Sequence, residues 1–156
     1  MKKKRTPRRV INPLYLIGGM QKIGKKHTRE LMSEYDSFLW HVDHGKGYAK
    51  SVRGITLFLA ALHDAATHYN ARFLLSLIDQ TGELWVRAGE RCTGKGITDR
   101  IVVNAEERAA LEQLHAAMDA FLPEVEAGPW VSFVDNAKQR WDTYARTSAF
   151  TAGLEE

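Results

Sequence analysis

Cysteine, long apolar runs and early acidic residues are all scarce in this chain, and each scarcity excludes something. Cysteine occurs once, at Cys92, so no internal disulfide can form. That fits a reducing compartment. No run approaches twenty apolar residues, so no membrane span is expected. The basic start invites comparison with a secretion signal. However, the apolar stretch at residues 10–20 contains Asn12, Pro13 and Gly18-Gly19, and runs into Lys22 without a small-residue cleavage site. The expectation is a cytoplasmic protein. Acidic residues are missing until Glu30.

What fills that gap is basic charge. Lys2, Lys3, Lys4, Arg5, Arg8, Arg9, Lys22, Lys25, Lys26 and Arg29 face only Glu30 in the first thirty positions. The front is therefore +9 and the remainder −6, which gives the net charge of +3. A basic arm on a mildly acidic body points to an anionic partner. Six of those charges fall within residues 2–9, where Pro7 keeps the chain extended. Each phosphate that such an arm neutralises releases counterions, so it supplies salt-sensitive affinity without reading sequence.

A chain of 156 residues suffices for one domain with a sizeable core, and is short for two. Pro7 and Pro13 forbid a helix through the front, so residues 1–26 read as an extended arm. Its apolar residues Val10, Ile11, Leu14, Tyr15, Leu16 and Ile17 are too many for a wholly solvated tail, and imply packing on the body or on a partner.

Behind the arm, apolar residues recur at helical spacing. A first helix is expected over about 28–42, with Thr28 as N-cap. Leu31, Tyr35, Phe38 and Leu39 share its face, and His44-Gly45-Lys46-Gly47 ends it. A second helix, about 49–69, carries Ile55, Phe58, Leu59, Leu62, Ala66 and Tyr69. A third, about 71–90, carries Leu74, Ile78 and Trp85, with Gly82 inside it; Asn70 is either a turn between the second and third helices or a point within one long kinked helix. Residues 91–103 read as a glycine-containing connection, in which Ile101-Val102-Val103 is a lone β-branched piece without a second strand to pair with. Asn104 and Glu107 have the spacing of a capping box opening a fourth helix with Leu111, Leu114, Met118, Phe121 and Leu122. Pro123 ends that helix. Pro129 is expected at the first position of a fifth, whose apolar face is Trp130, Phe133, Val134, Ala137, Trp141 and Tyr144.

Four patterns resemble chemistry. Gly89-Glu90-Arg91-Cys92-Thr93-Gly94-Lys95 matches the start of a phosphate-binding loop, but Gly96 replaces the magnesium-binding hydroxyl and no strand precedes it. A glycine-terminated helix followed by a loop is the better reading. His41, Asp43 and His44 are zinc-ligand types at a helix end, and would need His27 or His63 brought in by the fold. The plainer reading is a polar helix terminus, where histidines suit the dipole. Glu112 and His115 form half of a di-iron pattern that needs a second copy, and none exists. Asp64 and His68, four apart, read as a surface pair. Nothing local marks Cys92 as activated, and no Ser–His–Asp arrangement can be drawn. Trp40, Trp85, Trp130 and Trp141 sit mostly at core-like positions.

The segment Arg5-Thr6-Pro7-Arg8-Arg9-Val10 with Pro13, the helical middle, and Thr98-Asp99-Arg100-Ile101-Val102-Val103-Asn104-Ala105-Glu106-Glu107 leading to Leu114-His115 and Asp119 carry a resemblance. Together they resemble a family of small uncharacterised helical accessory proteins of proteobacterial phages and integrated elements. The resemblance implies a mobile-element accessory role and brings no catalytic residue with it.

The expectation is an all-α, single-domain bundle of about five helices over 27–156, preceded by the basic arm at 1–26. It acts by binding, as a regulator or inhibitor of a host system, with anti-defence one form of that. Its partner is a nucleic acid or nucleoprotein complex, or a host protein, held by Lys2, Lys3, Lys4, Arg5, Arg8, Arg9, Lys22, Lys25 and Lys26. No catalytic residue, metal, cofactor or membrane is expected. The alternatives are a virion-associated structural protein and a small metal-dependent enzyme using His41, Asp43 and His44.

Overall fold

The computed structural model describes residues 21–45, 48–97 and 99–154, with side chains for 21–45, 54–97 and 99–143. Among them the fold is all-α. Five helices follow in order: α1 Gly24–His44, α2 Tyr48–His68, α3 Arg72–Gly94, α4 Ala105–Phe121 and α5 Ala127–Leu154. A 3-10 turn, Leu122–Glu124, separates α4 from α5. Helix α2 is central, packed against α1, α3 and α5, while α4 lies along α3 and touches α1. No helix among the described residues is long and apolar enough to cross a membrane.

The apolar stripes meet in one core. Tyr35, Leu62, Leu114, Met118, Leu122 and Trp130 are almost wholly buried in it. Burying one such side chain contributes about 1.5–3 kcal/mol. Ala61, Ala65 and Ala66 on α2 have no exposed surface, and these small side chains let the neighbouring helices approach closely. The Phe58 ring meets Trp130 of α5 edge-on, with centroids 5.8 Å apart. The Tyr35 hydroxyl donates to the Leu111 carbonyl at 2.8 Å, which satisfies the polar end of a buried phenol. That burial pushes its pKa far above the usual tyrosine range.

Several boundaries differ from expectation, each for a visible reason. Helix α1 starts before Thr28, so Thr28 is not its N-cap. Thr28 is buried inside the helix, and its hydroxyl donates to the Gly24 carbonyl at 2.7 Å. The chain enters the bundle at Ile23, which is buried and whose N–H donates to Val125 O at 2.8 Å. Ala127 N–H answers to Gln21 O at 2.8 Å. The resulting Lys22–Glu126 bridge ties the front of α1 to the front of α5.

Asn70 adopts a left-handed conformation, φ 53°, which separates α2 from α3 where one long helix was conceivable. Asparagine tolerates that conformation better than most residues. Pro129 is the third residue of α5, not its first. That position is still within the first turn, where a missing N–H costs no helical bond.

The α3–α4 connection is shorter than expected, because α3 continues to Gly94. Gly96 at φ +78° then turns the chain, and Ile97 N–H returns to Cys92 O at 2.9 Å. Residues 101–103 have no partner strand among the described residues, and side chains bond the backbone of Val102. Val102 O accepts from Arg91 Nη2 at 2.6 Å, and Val102 N–H donates to Cys92 Sγ at 3.3 Å. The capping box forms as its spacing predicts: Glu107 N–H donates to Asn104 Oδ1 at 2.9 Å, and Asn104 N–H to Glu107 Oε2 at 2.8 Å. The same carboxylate accepts both Arg91 Nη1 at 2.5 Å and Nη2 at 2.9 Å. The Arg91 hydrogen bonds hold the Glu107 carboxyl below the usual glutamate range, against the opposing effect of burial.

Candidate anion-binding face and interhelical cavity

Of the basic residues expected to contact an anion, Lys2, Lys3, Lys4, Arg5, Arg8 and Arg9 lie outside the described residues. The other three sit at the front of the bundle with different surroundings. Lys22 pairs with Glu124, and that carboxylate raises the pKa of its ammonium. Lys25 and Lys26 are exposed and have no ion-pair partner among the described residues. Arg29, one turn on, is also exposed and has no ion-pair partner among the described residues. At 3.6 residues per turn, Lys25, Lys26 and Arg29 span roughly 100° of α1.

The first turn of α1 holds no acidic residue. Glu30 faces His27 at 3.3 Å. Cations at the positive end of a helix dipole are disfavoured by its field. The front of α1 therefore projects three exposed positive charges from a helix end that would be better served by acids. Sequence reading noted Arg29 as part of the basic front but did not assign it to the contact set. Its placement one turn after Lys25 and Lys26 was the available signal.

The other patterns disperse. His41 and His44 each turn Nδ1 toward the carbonyl one turn back in α1, Ser37 O at 2.7 Å and Trp40 O at 2.8 Å. Asp43 instead takes Arg108 of α4 at 2.9 Å. No group of three metal-ligating side chains occurs among the described residues. Glu112 faces Arg108 at 3.7 Å, while His115 reaches across to Asp36 of α1 at 2.7 Å. The expected Asp64–His68 pair is not formed. Asp64 binds Arg140 of α5 at 2.6 Å, and His68 packs against Tyr69 and Phe133. Competition from a neighbouring helix, invisible to i,i+4 spacing, decides both cases.

The phosphate-loop match is excluded by geometry: Gly89 to Gly94 are helical, so their N–H groups are committed within α3. Cys92 is buried and engaged with Val102. Trp130 is core as expected, whereas Trp40 is half exposed and stacks on His44 with centroids 4.2 Å apart.

Between α1, α2, α3 and α4 lies a cavity of about 180 Å³. Tyr35 and Phe38 of α1, Ile55 and Thr56 of α2, and Ile78, Thr81 and Trp85 of α3 are among its walls. Phe38 and Trp85 meet edge-on at one side, with centroids 5.2 Å apart. Gly82 leaves a gap in the α3 wall, since a Cβ built there would meet nothing within 4 Å. Sequence reading missed Thr81, although it continues the Leu74–Ile78–Trp85 stripe with a hydroxyl where an apolar residue belongs. No protein-family model, curated protein or solved structure matches this chain at a significant level.

Proposed function

We propose that the protein acts by binding, and that its basic front takes a nucleic acid or nucleoprotein complex. In this reading it is an accessory protein of the phage type that regulates or inhibits a host system. The observation that supports it most is the exposed trio Lys25, Lys26 and Arg29 at the front of α1, without ion-pair partners among the described residues. In the sequence these residues follow the six positive charges of residues 2–9. Such a surface favours phosphate through counterion release, and makes affinity fall steeply with salt.

The test is a triple charge reversal, Lys25→Glu, Lys26→Glu and Arg29→Glu, assayed by fluorescence anisotropy with single-stranded DNA, duplex DNA and RNA across a salt series. If all three residues contact phosphates, the slope of log K against log salt shrinks by about 2 to 3. The fold should be retained, because acids at positions 25 and 26 suit the first turn of a helix and contribute about 0.3–1 kcal/mol each there, and Arg29 is exposed. A folded variant with undiminished binding and slope would remove α1 from the contact surface.

A further inference from the structure

We propose that the cavity between α1, α2, α3 and α4 is a binding site for a small aromatic molecule carrying one hydrogen-bonding group, a phenol being the simplest case. This inference is independent of the nucleic-acid reading and rests on three observations. The first is size. At about 180 Å³ the cavity is slightly larger than the cavities of about 150 Å³ that accept benzene in other proteins. The second is the wall. Tyr35, Phe38 and Trp85 offer ring faces and edges, and aromatic pairs favour offset or edge-on contact at centroid separations of about 4.5–7 Å.

The third is Thr81. Threonines inside helices usually return their hydroxyl proton to the preceding turn. Here Thr28, Thr67 and Thr143 do so, donating to Gly24, His63 and Gln139 carbonyls at 2.7, 2.9 and 2.9 Å. Thr81 does not. It is only 6% exposed, lines the cavity, and has no hydrogen-bond partner among the described residues. That hydroxyl is presented to the cavity without a protein partner among the described residues, and a ligand hydroxyl would supply one. The Tyr35 hydroxyl is already committed to Leu111 and Thr56 is exposed, so Thr81 is the more deeply placed polar group and sets the ligand's orientation. Gly82 beside it keeps the α3 side of the cavity open.

The experiment titrates the full-length protein with phenol and with toluene, following the Ile55 and Ile78 methyl resonances by carbon–proton NMR. Both ligands should produce saturable shifts at those two wall residues. Phenol should bind roughly three- to tenfold tighter than toluene, the difference that one hydrogen bond makes. Thr81→Val keeps the shape and removes the hydroxyl, so the preference should disappear while toluene binding stays. A preference that survives Thr81→Val would overturn the assignment of the polar contact. Should that variant lose its structure, the wild-type titration decides alone, since the absence of any saturable shift at Ile55 and Ile78 would overturn the site.

Discussion

Two glycine-to-alanine substitutions should move stability in opposite directions. Gly82 lies in the middle of α3 with ordinary helical backbone, and a Cβ there would meet nothing within 4 Å. Glycine inside a helix costs about 0.5–1 kcal/mol relative to alanine, because it loses more backbone freedom on folding. With no steric term to set against that, Gly82→Ala should stabilise the protein by roughly that amount, which raises Tm by about 1–4 °C in a chain of this length. Gly45 ends α1 at φ +60°, and its Cβ would lie 3.2 Å from Arg100 Cδ. Left-handed backbone costs a side-chain-bearing residue about 1–2 kcal/mol, so Gly45→Ala should destabilise by at least that much. Urea unfolding of both variants, with unchanged m-values, is the assay. A destabilised Gly82→Ala would mean that the α3 wall lacks the space described for it. A neutral Gly45→Ala would mean that α1 does not end in a left-handed turn.

The capping box gives a second expectation: Asn104→Ala should cost about 0.5–2 kcal/mol in denaturant unfolding, since Glu107 N–H loses its acceptor. Tyr35→Phe keeps the ring and removes the hydroxyl bond to Leu111 O, so a loss of about 0.5–1.5 kcal/mol is expected by the same assay. Glu107 should also give stability a pH dependence. Its folded pKa lies below the ordinary value, so its contribution is complete above an unfolded pKa near about 4.3 and is lost as pH falls through the folded pKa. Glu107→Gln should therefore flatten the acid limb of a stability–pH curve below about pH 5. An unchanged limb would show that the Arg91 pairing does not depress that pKa.

Local signals in the sequence were read well where the physics was local. The Asn104–Glu107 box needs only four consecutive residues, and it formed as expected. The stripes of α2 and α4 were legible for the same reason: burial of Ile55, Phe58 and Leu62, and of Leu111, Leu114 and Met118, follows helical periodicity. What escaped was set by partners distant in the chain. Thr28 has the chemistry of an N-cap, but the pairing of Ile23 with Val125 fixes the chain earlier and draws Thr28 into the helix. Asp64 and His68 have ideal spacing, yet Arg140 offers Asp64 a better partner from α5. Glu107 was legible as a cap but not as the carboxylate that receives Arg91 across the α3–α4 connection. On the candidate surface, the charge was plain in the sequence. Which lysines are paired was not, and only the fold separates Lys22, held by Glu124, from Lys25 and Lys26. The cavity left a single trace, a threonine within an apolar stripe.

The measurement closest to the central claim compares the full-length protein with one lacking residues 1–9, titrated against single-stranded DNA, duplex DNA and RNA over a range of salt. Residues 2–9 carry six positive charges. If they contact phosphates, the truncated protein should bind more weakly, and its salt slope should be shallower by about 4 to 5. Equal affinity and an equal slope for the two proteins would contradict a nucleic-acid role for the basic arm.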